Sequence, residues 1–136
     1  RQEYSQAIEH LDQVLRRYPK QLGANVLRAD VALVQGETDK ARKVYQFLVD
    51  AFPNVPVGYF KLGLLEERAE NYEEAAKLYL KTLSFDQNVL APARRLVTTR
   101  NRQGKKVADM LIEMQDLQAK SEKSKAEYDL MIGSLY

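Results

Sequence analysis

The sequence predicts an all-α protein of about eight short helices, stacked pairwise into a solenoid. Two observations carry that expectation. Ala7, Ala41 and Ala75 stand 34 residues apart, as do Leu11, Tyr45 and Tyr79, and the same step links Pro19 to Pro53. Within each unit, apolar residues recur at steps of three and four, the spacing that lines one face of a helix. No segment alternates with period two over a useful length, so nothing supports a strand.

The elements follow in order. From Tyr4 to Tyr18 an apolar stripe runs through Ala7, Ile8, Leu11, Val14 and Leu15. Pro19 ends it, because proline lacks an N–H and pushes the preceding residue out of the α region. A second helix is expected from about Leu22 to Gln35, closed by Gly36. Thr38 or Asp39 is expected to cap the third, which carries Ala41, Val44, Tyr45, Leu48 and Val49 and stops before Pro53. Pro56 suits the first turn of a fourth helix bearing Tyr59, Phe60, Leu62, Gly63 and Leu65. Asn71 opens a fifth, with Glu74 as its capping-box partner, and this helix runs through Leu83. A sixth begins at Pro92 and ends at Gly104, and a seventh spans Lys106 to about Ser121. The stretch from Ala126 to Tyr136 is helical in pattern. Connections this short join antiparallel neighbours.

Composition bounds the function. Of 136 residues, 45% are hydrophobic and 29% charged, an ordinary folded balance. The formal net charge of +2 does not by itself call for a polyanionic partner. There is no cysteine, so disulfides and thiolate metal sites are out, and cytosolic and periplasmic homes fit equally. No apolar run reaches the roughly 18 residues that span a bilayer. The chain opens with Arg1 part-way into a repeat, as expected of a piece of a longer array.

One unit carries a family likeness best. Tyr59, Leu62, Gly63, Tyr72, Ala75, Tyr79 and Leu83 resemble the tetratricopeptide repeat (TPR), a 34-residue helix–turn–helix with an aromatic and Leu-Gly in its first helix. Its second helix carries an aromatic, a small residue and a second aromatic. The resemblance implies a right-handed superhelical solenoid of antiparallel helix pairs. The expected division of residues 1–136 is a half repeat at 1–19, repeats at 20–53 and 54–87, and a degenerate repeat at 88–123. Residues 124–136 then form either the first helix of a further repeat or a capping helix. In the second unit Asn25 stands where Tyr59 does, and Arg28-Ala29 replaces Leu62-Gly63. In the degenerate unit Asp109 takes the small-residue position, and Ala108 fits it with a one-residue slip.

Groups for catalysis do not converge. His10, the sole histidine, has no acidic or cysteine partner at ligand spacing and reads as a surface residue. Glu66, Glu67, Glu70, Glu73 and Glu74 lack the spacing of a calcium loop and read as a solvated rim near a helix start. No Gly-rich phosphate loop or nucleophile elbow occurs. The expectation is therefore no enzyme, cofactor or metal. Between Gln87 and Ala108 lie Arg94, Arg95, Arg100, Arg102, Lys105 and Lys106 with no carboxylate. A solvated face and a docking patch for an acidic peptide both fit this run. Nucleic acid is disfavoured, since no aromatic within it could stack on a base.

The family resemblance also implies where a partner sits: a concave groove lined by the first helices of successive units. The positions so implied are Val26, Asp30 and Leu33, then Phe60, Lys61, Leu64, Glu67 and Arg68, then Arg94, Arg95, Thr98 and Arg102. An acidic protein or peptide with a hydrophobic anchor complements this series, with Phe60 and Arg95 as expected anchors. Self-association through uncovered repeat faces is the alternative. Some TPR domains hold a C-terminal carboxylate with two lysines, two asparagines and an arginine. Those positions are Val26, Asp30, Lys61, Ala91 and Arg95 here, and only Arg95 matches.

Overall fold

The computed structural model describes residues 2–85 and 90–120, and among them there are seven helices and no strand. They are α1 (Gln2–Arg17), α2 (Leu22–Val34), α3 (Thr38–Ala51), α4 (Pro56–Arg68), α5 (Tyr72–Phe85), α6 (Leu90–Arg102) and α7 (Val107–Lys120). The helical segment expected at 126–136 lies outside the described residues. The chain divides into two compact units, Arg1–Gly58 and Tyr59–Tyr136.

Three helix ends share one turn. The left-handed residues are Gly36 (φ 83°), Glu70 (φ 63°) and Gly104 (φ 71°), again 34 residues apart. At each, the next N–H reaches back five residues: Glu37 to Ala32, Asn71 to Glu66 and Lys105 to Arg100, at 2.8–3.1 Å. This is the Schellman closure, which satisfies the last carbonyls of a helix and favours glycine at the left-handed site. Glu70 holds the same geometry without being glycine.

Starts depart from expectation at α3 and α6, while Asn71 opens α5 as expected. Neither Thr38 nor Asp39 caps α3; Glu37 occupies the N-cap, makes no side-chain capping bond and pairs with Lys40 instead. The Asn71 carbonyl accepts the Ala75 N–H at 2.9 Å, and its side-chain amide donates to Glu66 at 2.8 Å. Helix α6 begins at Leu90, so Pro92 lies in its first turn, where a missing N–H costs nothing.

In the first unit, α2 packs between α1 and α3. Ala29, Ala32, Ala41 and Tyr45 are fully buried, small residues on both helices permitting the close crossing. Two irregular positions are resolved by polar bonds. The Asn25 amide donates to Pro19 and Gln21 carbonyls at 3.0 and 2.8 Å, tying the turn between α1 and α2. Arg28 donates to Asp12 at 3.0 Å, an ion pair where the other unit has Leu62.

In the second unit, Ala75, Ala76, Tyr79, Leu83, Ala93 and Leu96 form a core with Phe60, Leu64, Leu80, Leu90 and Val97 packed against it. Gly63 lies under the Tyr79 ring: a Cβ there would sit 2.6 Å from Cε1. Among the described side chains of α7, Met110 is buried, whereas both Ala108 and Asp109 are exposed. Neither candidate for the small-residue place is buried, and a flexible methionine is buried one position on.

Candidate functional site

Phe60, Leu64 and Glu67 follow one another at helical steps along α4 and share a stripe. Phe60 and Leu64 are half-buried against the core, and the Phe60 ring lies 5.9 Å from that of Tyr79, tilted by 50°. Phe60 is therefore anchored within its own unit while keeping part of its surface open.

Glu67 is the polar centre of this stripe. Its side chain is only 10% exposed. Oε1 accepts the Tyr79 hydroxyl at 2.8 Å and Oε2 accepts Arg95 Nη1 at 3.1 Å; the Thr99 hydroxyl stands 3.4 Å from Oε1, but its shorter bond, 2.8 Å, goes to the Arg95 carbonyl. One carboxylate so joins α4, α5 and α6, its burial offset by the Tyr79 hydroxyl and the Arg95 guanidinium. Burial, then the bond to Glu67, pushes the Tyr79 phenol well above its usual value. In the sequence Glu67 reads both as part of a solvated acidic rim and as one of the groove positions beside Phe60 and Leu64, without partners of its own. The available signal was an acid continuing the stripe begun by Phe60 and Leu64, with a tyrosine on the next helix.

The buried side of α6 carries Pro92, Ala93, Leu96, Thr99 and Arg100. Arg94 and Thr98 face the opposite way and are exposed; the Thr98 hydroxyl donates to the Arg94 carbonyl at 3.1 Å. Arg95 is 49% exposed and flanks this row on the side of Glu67. Arg102, also exposed, bonds to the Tyr72 side chain, which raises its already high pKa.

The acid-free run is thus not electrically bare, because other helices supply its carboxylates. Arg100 departs from a solvated face altogether: it is buried, with Nε 3.1 Å from Glu113 and Nη1 3.2 Å from Glu73. These bonds tie α7 and α5 to α6. Gln103 completes the group, accepting from Arg100 at 2.9 Å and donating to Glu73 at 2.8 Å. The burial of Arg100 cannot be read from one helix, since its two carboxylate partners come from α5 and α7.

The remaining candidates differ in character. Arg68 is exposed at the end of α4, and Lys61 is half-buried. In the first unit, Val26 and Leu33 are half-buried on α2, while Asp30 accepts the Tyr45 hydroxyl. Tyr45 and Tyr79 occupy matching positions, so each unit gives the same phenol an acid acceptor, from different turns of its first helix. His10 is exposed. Among the described residues, no group of His, Asp and Glu is arranged to hold a metal, and no helix is long and apolar enough to cross a membrane.

Against this geometry, residues 1–56 and 28–89 match the family described as Tetratricopeptide repeat. The chain belongs to the tetratricopeptide-repeat family. A curated relative, the Hsp70-Hsp90 organizing protein of Triticum aestivum, is 29% identical over 126 residues. That match takes in 90% of the TPR chain but 21% of the relative, so the chain spans about a fifth of that protein's length. Two solved structures, MamA 41-end from Desulfovibrio magneticus RS-1 and the MamA RS-1 ArsTM double mutant, superpose with a TM-score of 0.65 at 22% identity. Each comparison covers 98% of this chain and 66% of the MamA chain. Family match and structural likeness together give the fold class: an all-α TPR solenoid of antiparallel helix pairs, in a family of protein-interaction scaffolds.

Proposed function

We propose that this TPR chain is a non-catalytic scaffold that binds a protein segment along its first helices, with the α4–α6 face of the second unit as the principal contact. The supporting observation is the exposed part of α6: Arg94 and Thr98 lie opposite its buried side, Arg95 flanks them beside Glu67 and Arg102 beside Tyr72, while Phe60 and Leu64 of α4 are half-buried against the same core. Cations beside apolar surface suit a segment that combines acidic residues with an apolar anchor. In the first unit, Val26, Asp30 and Leu33 form the corresponding stretch of α2 and are proposed as a lesser contact. The wheat relative is named for two chaperones. The present chain carries only Arg95 of the five carboxylate-holding positions, which argues against the same mode of capture.

Selection of the chain against a random-peptide display library tests this reading. Enriched peptides are expected to carry acids around an apolar residue and to lose binding to the Arg94→Glu, Arg102→Glu double variant. Enrichment that ignores both substitutions removes the face from consideration.

Self-assembly is the second reading, favoured by large apolar side chains exposed in the first unit. Tyr18 is 58% exposed, Leu27 55% and Val34 63%. Light scattering across a concentration series decides it, and a constant monomer mass would end it.

A further inference from the structure

We infer that Glu67 is a built-in counter-carboxylate that occupies Arg95 and so determines which cations of the α4–α6 face a partner meets. The inference rests on the binding face proposed above and names the residue that sets its specificity. The geometry carries it. Glu67 is a nearly buried carboxylate whose Oε1 is committed to the Tyr79 hydroxyl at 2.8 Å, leaving Oε2 to take Arg95 at 3.1 Å. Arg95 is half exposed and therefore reachable by a partner, yet its charge is already answered within the chain. A partner's carboxylate at Arg95 meets the field of Glu67 a few ångströms away, and like charges at that range repel. Arg94 lies outside this arrangement, on the side of α6 opposite the buried face. An acidic segment is accordingly held by Arg94 and its neighbours, and Arg95 is a positioning residue that braces α6 on α4. Tyr79 and Arg95 both donate to Glu67, so the pairing is organised before any partner arrives.

The test uses the full chain and a fluorescein-labelled peptide with the core Asp-Asp-Leu-Asp-Asp, in two forms, C-terminally amidated and with a free carboxylate. Binding is followed by fluorescence anisotropy for the parent, Glu67→Gln, Arg95→Gln, the double variant and Arg94→Gln. Glutamine keeps an oxygen for the Tyr79 hydroxyl while removing the charge that holds Arg95. Glu67→Gln is expected to bind both peptide forms about two- to fivefold more tightly, the size of one surface charge pair, with the gain shrinking as salt rises. The double variant should return to the parent affinity, and Arg95→Gln alone should stay within about twofold of it. The two peptide forms should differ little, as no position is reserved for a chain terminus.

Unchanged or weaker binding by Glu67→Gln overturns the inference. So does a loss from Arg95→Gln as large as that from Arg94→Gln, or a strong preference for the free carboxylate. If Glu67→Gln does not fold, as judged by circular dichroism, the Arg95→Gln and Arg94→Gln pair still decides the matter. An Arg94→Gln variant that binds like the parent defeats the face assignment separately. A peptide that binds no variant defeats both.

Discussion

Gly63 of α4 lies so close beneath Tyr79 of α5 that an added Cβ would stand 2.6 Å from Cε1 and 2.9 Å from Cδ1 of the ring. The ring cannot yield easily, because Tyr79 is fully buried and its hydroxyl is held by Glu67 at 2.8 Å. Leu62-Gly63, read in the sequence as a family signature, is therefore a steric requirement of this helix crossing.

Gly63→Ala should destabilise the chain by about 1–3 kcal/mol, the usual penalty for forcing atoms into a packed site. Urea unfolding followed by circular dichroism measures it. Gly23→Ala is the control: its Cβ would meet nothing nearer than 3.5 Å, within α2. There the substitution should be neutral or stabilise by up to about 1 kcal/mol, since alanine is the better helix former. Equal losses at the two sites would rule out the contact with Tyr79 as the cause.

Glu70 supplies the second prediction. It holds φ 63° in a Schellman turn whose counterparts are Gly36 and Gly104. A side chain in that region costs about 1–2 kcal/mol. Glu70→Gly should recover on the order of 1 kcal/mol, while Gly36→Ala should lose a similar amount although its Cβ would meet nothing within 4 Å. Thermal midpoints would then move in opposite directions for the two variants. A lower midpoint for Glu70→Gly would mean that the carboxylate contributes more than the backbone strain removes.

Acid stability supplies the third. The Gln103 amide, then the Arg100 guanidinium, hold the Glu73 carboxyl below its ordinary value of 4.5. A carboxyl depressed in the folded state contributes stability above its unfolded value. That contribution disappears as pH falls through the folded value. Glu73→Gln should thus flatten the fall in stability below about pH 4.5 and leave the slope near neutrality unchanged. Urea midpoints at a series of pH values report both limbs. An acid limb as steep in the variant as in the parent would assign the acid sensitivity to other carboxylates.

Much of the fold was legible in the sequence, for a local reason. Pro19 and Gly36 end helices by backbone chemistry that needs no distant partner. The three- and four-residue steps of Leu11, Val14 and Leu15 define a face before anything packs on it. The repeat placed Gly36 and Gly104 at equivalent turns, and Gly63 and Ala41 at close crossings. The candidate face was legible only as residue types at register positions. Its polar wiring was not, because Glu67 meets Tyr79, Arg95 and Thr99 across 12, 28 and 32 residues.

The sequence by itself therefore determined an all-α array of helix pairs, its 34-residue step and most of its helix ends. Only tertiary structure decided that Arg100 is buried and paired, that Met110 is buried while Ala108 and Asp109 are exposed, and that Glu70 adopts a glycine's conformation. Helix periodicity and turn preference depend on near neighbours, so one stretch of chain contains them. Whether a charge is exposed, paired or enclosed depends on which groups other helices bring to it, and that is settled only when the helices pack.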